Sequence, residues 1–395
     1  MKKDWEIKKL GEVCDFQGGS QPPKSNFVFE QKKGYVRFLQ IRDFGSDKNI
    51  TYIPEAKKNR HCNEDDILLG RYGASVGKVL VNKAGAYNVA VMKTIPDEKV
   101  LYKKYLFFYL NTDDFQNRLL KTASRSAQDG FSKDDIFDFP ILLPPIPEQQ
   151  RIVAILDEAF AAIATAKANA QQNLKNAKEL FESYLQGVFI NIGEGWEEKT
   201  LQDVCEISSK LIDPRNPEFQ NMIHVGAGNI ETKKGTLINL KTAQEEKLIS
   251  GKFLFEKSMI LYSKIRPYLM KVVNCTFQGV CSADIYPLLP LKGMIKKEFL
   301  CHLLLTQQFT DYAILGSQRA GMPKVNREHL FAYKFHLPRI KEQQSIVQKL
   351  DALSSETRRL EAIYQQKIND LEELKKSVLQ KAFSGKLLNN KYINE

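Results

Sequence analysis

Residues 144–157 read PPIPEQQRIVAILD, and residues 338–351 read PRIKEQQSIVQKLD. Aligned from Glu148 and Glu342, the next ten positions agree at Glu, Gln, Gln, Ile, Val, Leu and Asp, and the two copies are 194 residues apart. That spacing is far longer than the roughly 20–50 residues of a solenoid unit, so the repeat is a domain with its own helix. The domain starts agree as well: WEIKKLGEVCDF begins at Trp5, WEEKTLQDVCEI begins at Trp196, and six of the twelve positions are identical. Cys14 and Cys205 fall at equivalent places, which points to packing and not to thiol chemistry.

Within each copy the order of signals is the same. From about 16 to 100, runs such as YVRFLQI (35–41), DILLGRY (66–72) and VGKVLVN (76–82) are bounded by Gly, Asn, Asp and Pro, as strands are. The second copy answers with MIHVGAGNI (222–230), SMILYSKI (258–265) and LMKVVN (269–274). Helical patches follow at 103–121 and 296–315, then polar loops at 124–135 and 317–328, then short apolar runs, FPILLPPIP and FHLPRI. Each copy is expected to be a mixed domain of about 140–150 residues.

Two long helices come next. Pro147 suits a first helical turn, and Glu148 puts negative charge at the positive end of the helix dipole. Apolar positions then step by four and three. In the first helix they are Ile152, Leu156, Ala159, Ile163, Ala166, Ala170, Asn173, Ala177, Leu180 and Tyr184. In the second they are Ile346, Leu350, Leu353, Thr357, Leu360, Tyr364, Lys367, Leu371, Leu374 and Val378. This is the pattern of a coiled-coil seam.

About 40 residues of helix span roughly 60 Å, longer than a domain of radius of gyration about 15 Å. With few residues between Phe189 and Trp196, the two helices are expected to run antiparallel. The sequence therefore predicts an α+β chain with an internal pseudo-twofold axis. Its parts are a domain over 1–147, a long helix over 148–190, a second domain over 191–341 and a second long helix over 342–388.

Charge narrows the partner. Fifty-eight Lys and Arg against 47 Asp and Glu leave a formal charge of +11, which favours an anionic partner such as nucleic acid. No signal-peptide pattern or 18-residue apolar run occurs, and six scattered cysteines suit reduced thiols, so a cytoplasmic location is expected.

Catalytic motifs are not found. NPEF (216–219) lacks the second proline of an adenine methyltransferase motif, and PDEK (96–99) lacks the spaced acids of a metal-dependent nuclease. GASVGK (73–78) fails the phosphate-loop spacing. Cys301–His302 and the pair Cys275 and Cys281 lack short paired metal spacing, so no metal or cofactor site is expected.

The loops instead gather base-reading and phosphate-binding residue types. In the first copy these candidate DNA contacts are Gln21, Lys24, Arg42, Arg71, Tyr72, Ser75, Lys78, Arg125, Gln128 and Lys133. In the second they are Lys210, Arg215, Asn229, Lys264, Arg266, Tyr268, Lys271, Gln318, Arg319 and Lys324. The scaffold agrees between copies while the loops differ, as a reader of two unlike half-sites needs.

The paired W-x-x-x-x-L-x-x-V starts, the LPP-x-P-EQQ-x-I-V and LP-x-I-x-EQQ-x-I-V helix starts, and the LQGVF and LQKAF helix ends resemble the specificity subunit of type I restriction–modification systems. The resemblance covers nearly the whole chain, with Lys341 as a departure where the first copy has Pro147. It implies two target recognition domains, each reading half of a split double-stranded DNA site. It also implies helices that act as a ruler and dock two adenine methyltransferase subunits, with motor–nuclease subunits completing the restriction enzyme. S-adenosylmethionine, ATP and magnesium would belong to those partners, leaving this chain without a cofactor. The rival readings are a coiled-coil scaffold without base readout and a self-contained DNA methyltransferase or nuclease.

Overall fold

The computed structural model describes residues 5–124, 130–208, 210–317 and 322–387. Its element order repeats. Strand Glu6–Lys9 runs into the one-turn helix Leu10–Val13 and pairs antiparallel with Pro140–Leu143. Glu197–Thr200, Leu201–Val204 and Lys334–Leu337 repeat that arrangement. A four-stranded antiparallel sheet orders Cys14–Gly18, Val91–Pro96, Leu68–Gly70 and Val79–Leu80; its counterpart orders Cys205–Ile207, Ile285–Pro290, Ile260–Ser263 and Val272–Asn274.

A second sheet in each copy is built on a parallel pair. Tyr35–Leu39 lies beside Gly85–Tyr87, and Ile223–Val225 lies beside Gly279–Cys281. Parallel neighbours need a long crossover, and the first four-stranded sheet's inner hairpin lies within that connection. The second copy also gains an edge strand, Leu211–Ile212. Helices Lys103–Leu110 and Asp113–Ala123 match Lys297–Leu304 and Gln307–Leu315. Buried Thr112 and Thr306 cap the second helix of each pair, accepting from the amides of Phe115 and Phe309.

Contacts divide the chain into two units, one of residues up to Gln171 and from Gln366 onward, the other Gln172–Gln365. The division falls inside both long helices, Ile146–Ile190 and Ile340–Phe383. Each unit therefore holds one domain, the start of its own long helix and the end of the other. In the first unit Phe383 packs its ring on Tyr105 and Tyr109, with centroids 4.7 and 6.0 Å apart. Farther along, Lys375 lies over Phe160, and Lys167 pairs with Glu372. As the first helix advances the second recedes, so the two segments are antiparallel. In the second unit Phe189 packs on Phe299 at 5.1 Å and joins a core with Ile346 and Val347. The LQGVF and LQKAF ends, alike in the two copies, are thus the plugs that close the opposite copy's domain.

Burial along the helices corrects part of the expected seam. Ile152, Leu156, Ile163 and Leu350 are buried, and Ile346, Leu353, Leu360, Tyr364 and Leu371 are half-buried. Leu180, Tyr184 and Leu374 are 60%, 39% and 47% exposed. Each lies four heptads beyond Ile152, Leu156 or Ile346. A straight helix drifts by about 20° per heptad, so four heptads cost about 80°, nearly one residue's step. The buried face moves on accordingly, to Leu185 and Leu379.

The EQQ motif fastens each helix to its domain. Gln149 is fully buried; its Nε2 donates to the carbonyls of Val100 and Pro144, and its Oε1 accepts from the Tyr102 amide, all at 2.8 Å. Gln343 does the same with Met294, Pro338 and the Lys296 amide at 3.1, 2.8 and 2.8 Å. Lys341 changes nothing at the helix start: the amides of Glu342 and Gln343 reach Arg339 O, as those of Glu148 and Gln149 reach Pro145 O.

One difference between the copies is pH-sensitive. His302 stands where the first copy has Phe108, and its Nε2 lies 3.1 Å from Asp351 on the long helix. Burial holds His302 below the ordinary histidine value in spite of Asp351, and burial does the same to His224 beside Glu246. Folding thus disfavours their protonated forms. Above the unfolded value of about 6.5 neither state is charged; below it the unfolded chain takes up more protons and stability falls. The unfolding midpoint is expected to drop between about pH 7.5 and about pH 5.5, and His302→Phe to shrink that drop. Calorimetry at the two pH values checks this; an undiminished drop would assign the effect to other groups.

Candidate nucleic-acid interface

The candidate DNA-contacting side chains divide by what holds them. Arg71 is committed to the fold: its Nε donates to Phe131 O at 3.1 Å, its Nη1 to Val89 O at 3.4 Å, and its guanidinium lies over the Tyr72 ring. Ser75 Oγ donates to Tyr72 O at 2.6 Å. Asn229 closes a turn, accepting from the Gly226 amide and donating to Ile238 and Asn239 carbonyls. Lys271 Nζ is held by Ala227 O. Arg215 forms a two-bond fork with Asp213, whose carboxyl that guanidinium holds down at about 2. Each of these side chains therefore also holds its loop, through at least one bond to an oxygen of the protein itself.

Others remain available. Gln21, Lys24 and Lys78 are exposed in the first domain, and Lys210, Arg266, Tyr268 and Lys324 in the second. Arg42 is exposed, with one bond to Thr51 and its Nε 3.6 Å from Asp43. Lys133 sits 3.8 Å from Asp15 and over the Phe137 ring. Arg125, Gln128, Gln318 and Arg319 lie outside the described residues.

Topology brings the distant loops together. Tyr72 bridges to Gly130, and Ile265 bridges to Lys324. The loop after strand Leu68–Gly70 therefore meets the segment after the helix pair, in both domains. Lys264 lies over the Tyr286 ring, and burial, then the charge of Lys324, pushes its ammonium below the ordinary lysine range. The nearby carboxylate of Asp284 opposes that shift without cancelling it. Sequence reasoning missed this pairing of loops; the equal spacing of the two loops in both copies was the signal for it.

Other chemistry is plain. All six cysteines are buried and free, and burial pushes Cys62 up to about 11 and the other five up to about 12, so they are inert as nucleophiles. Among the described residues no three His, Cys, Asp or Glu side chains converge on a metal-sized site, and no helix is long and apolar enough to cross a membrane.

Comparison with known proteins agrees with this duplicated frame. The chain is 28% identical over 417 residues to the type I restriction enzyme EcoDI specificity subunit of Escherichia coli, covering 97% of this chain and 89% of that one. It is 23% identical over 410 residues to the MjaVIII specificity subunit of Methanocaldococcus jannaschii, covering 98% and 93%. Among solved structures, the fold matches a chain from work on complex assembly and conformational transition of the type I R-M system, with TM-score 0.78, 17% identity and coverage of 98% and 99%. It also matches the HsdS subunit of Thermoanaerobacter tengcongensis, with TM-score 0.61, 17% identity and 98% of each chain. The family model for the type I restriction modification DNA specificity domain matches twice, at residues 2–176 and 193–373. With two such domains, each carrying its own EQQ-fastened helix, the chain belongs to the type I restriction–modification DNA specificity family.

Proposed function

We propose that this chain is the sequence-reading subunit of a type I restriction–modification complex and performs no catalysis itself. Each domain reads one half of a split, asymmetric duplex site. The carrying observation is a duplicated backbone whose paired loops hold different side chains, RYGASVGK in one and KIRPYLMK in the other. A symmetric homodimer would present the same reader twice; two domains of one chain need not. The long helices, each about 67 Å at 45 and 44 residues, set the spacing between half-sites. Exposed Leu180, Tyr184, Ile363 and Leu374 on those helices support a docking role for two adenine methyltransferase subunits, with motor–nuclease subunits joining them. Cofactors for methyl transfer and translocation are supplied by those partners, and the complex works in the cytoplasm.

The test is selection and footprinting of duplex DNA by the chain in complex with its modification subunits. Two short protected blocks with an open spacer are expected. Affinity should fall about a thousandfold or more between about 50 and 200 mM salt, as release of counterions from 6–10 phosphates requires. One contiguous block, or binding indifferent to salt, would overturn the bipartite reading. No footprint even in the complex would favour a scaffold, and S-adenosylmethionine binding by the isolated chain would favour an enzyme.

A further inference from the structure

Residues 71–78 and 264–271 share a backbone, although of their eight positions only Lys78 and Lys271 carry the same residue. The main chain is left-handed at the third position and again at the seventh. φ is +54° at Gly73 and +79° at Gly77, and +51° at Arg266 and +49° at Met270. A short 3-10 turn follows in each, Gly73–Ser75 in one copy and, one position later, Pro267–Leu269 in the other. Each loop is closed at its base, Gly70 N to Lys78 O at 2.9 Å and Ser263 N to Lys271 O at 3.0 Å.

The first copy meets this geometry with glycines, which adopt it freely. The second meets it with two side chains for which it is strained. Met270 is 6% exposed, so burial offsets its strain. Arg266 has no such return: it is exposed, and its guanidinium has no hydrogen-bond or ion-pair partner among the described residues. The fold nevertheless pins it. Its amide donates to Pro323 O at 2.9 Å, Val325 N donates to Lys264 O at 2.8 Å, and Pro267 follows it. Uncompensated strain that the surroundings enforce is a mark of a binding position.

We propose that this twin loop is the base-reading element of each domain, and that Arg266 is the specificity-determining residue of the second, forking onto a guanine edge in the major groove. In the first domain Gly73, with open space where a Cβ would stand, leaves the same spot bare for close approach of the backbone. Arginine binds guanine O6 and N7 with two bonds, and a side chain fixed at its backbone loses less freedom in doing so. The proposal rests on the DNA-reading function above.

The experiment is sequence selection from a random duplex pool by the complex carrying parent, Arg266→Gly or Arg266→Asn chains, with thermal unfolding of each chain alongside. Glycine gives the loop the residue of the first copy, and asparagine tolerates the left-handed turn. Both variants should unfold at or above the parent midpoint. Both should lose the requirement for one G·C pair in one half-site, keep the other half-site intact, and bind the parent site about 5–150-fold more weakly. An unchanged consensus, equal weakening on all sequences, or a lowered midpoint in both variants would overturn the role of Arg266. A parent complex that selects no bipartite site at all would instead fail the function on which the proposal stands.

Discussion

Replacing Gln149 with leucine is expected to cost the first unit about 3–9 kcal/mol, the largest stability loss of any single substitution proposed. Leucine keeps much of the glutamine volume, so packing is nearly conserved. What it removes is the partner of three main-chain groups, the carbonyls of Val100 and Pro144 and the amide of Tyr102. Each buried group left unpaired costs about 1–3 kcal/mol. Gln343→Leu should do the same in the second unit through Met294, Pro338 and Lys296. The two latches share no partner, so their losses should add in a double variant. Neighbouring Arg151→Leu is the control, since its nearest carboxylate contact, Glu148, is 4.0 Å away on an exposed face. Denaturant unfolding of the parent and the four variants decides it: a loss below about 1 kcal/mol at Gln149 would mean that the helix is held by its apolar face alone.

Why the fold was legible, and the site less so, follows from the same residues. The EQQ stretch could be found because a repeat writes each constraint twice. Trp5 and Trp196, Thr112 and Thr306, and Phe383 and Phe189 mark common frame positions whose packing permits little variation. Periodicity located the helices, but a strict four–three count assumes supercoiling over the full length. Twenty degrees of drift per heptad was enough to turn Leu180, Tyr184 and Leu374 outward. The interface was harder because residue type does not reveal hydrogen-bond partners. Arg71 and Arg266 look alike in a sequence as candidate readers. One is tethered by the carbonyls of Phe131 and Val89; the other has no side-chain partner among the described residues. Nor could an arginine in a left-handed turn be recognised before Gly73 was seen at the same place in the other copy.

Exchanging residues 16–135 for the matching segment of another family member is expected to replace one half-site and leave the other unchanged. Binding to the original site should fall about a thousandfold or more, because specific binding exceeds non-specific binding by at least that factor. The frame can survive the exchange because its fastenings are largely outside the segment or on the main chain. Strand Glu6–Lys9 and its partner Pro140–Leu143 both remain. The Gln149 latch needs from the segment only the Val100 carbonyl and the Tyr102 amide, which any residue but proline supplies at position 102. One side chain does matter: an aromatic must stand at position 105 to receive Phe383, as Phe299 receives Phe189 in the second copy. A donor segment with a small residue there should unfold the first unit and give no footprint, and restoring the aromatic should rescue it. Sequence selection by the exchanged complex is the measurement. A change in both half-sites, or in neither, from a chain that unfolds like the parent would show that reading is not divided between the two domains.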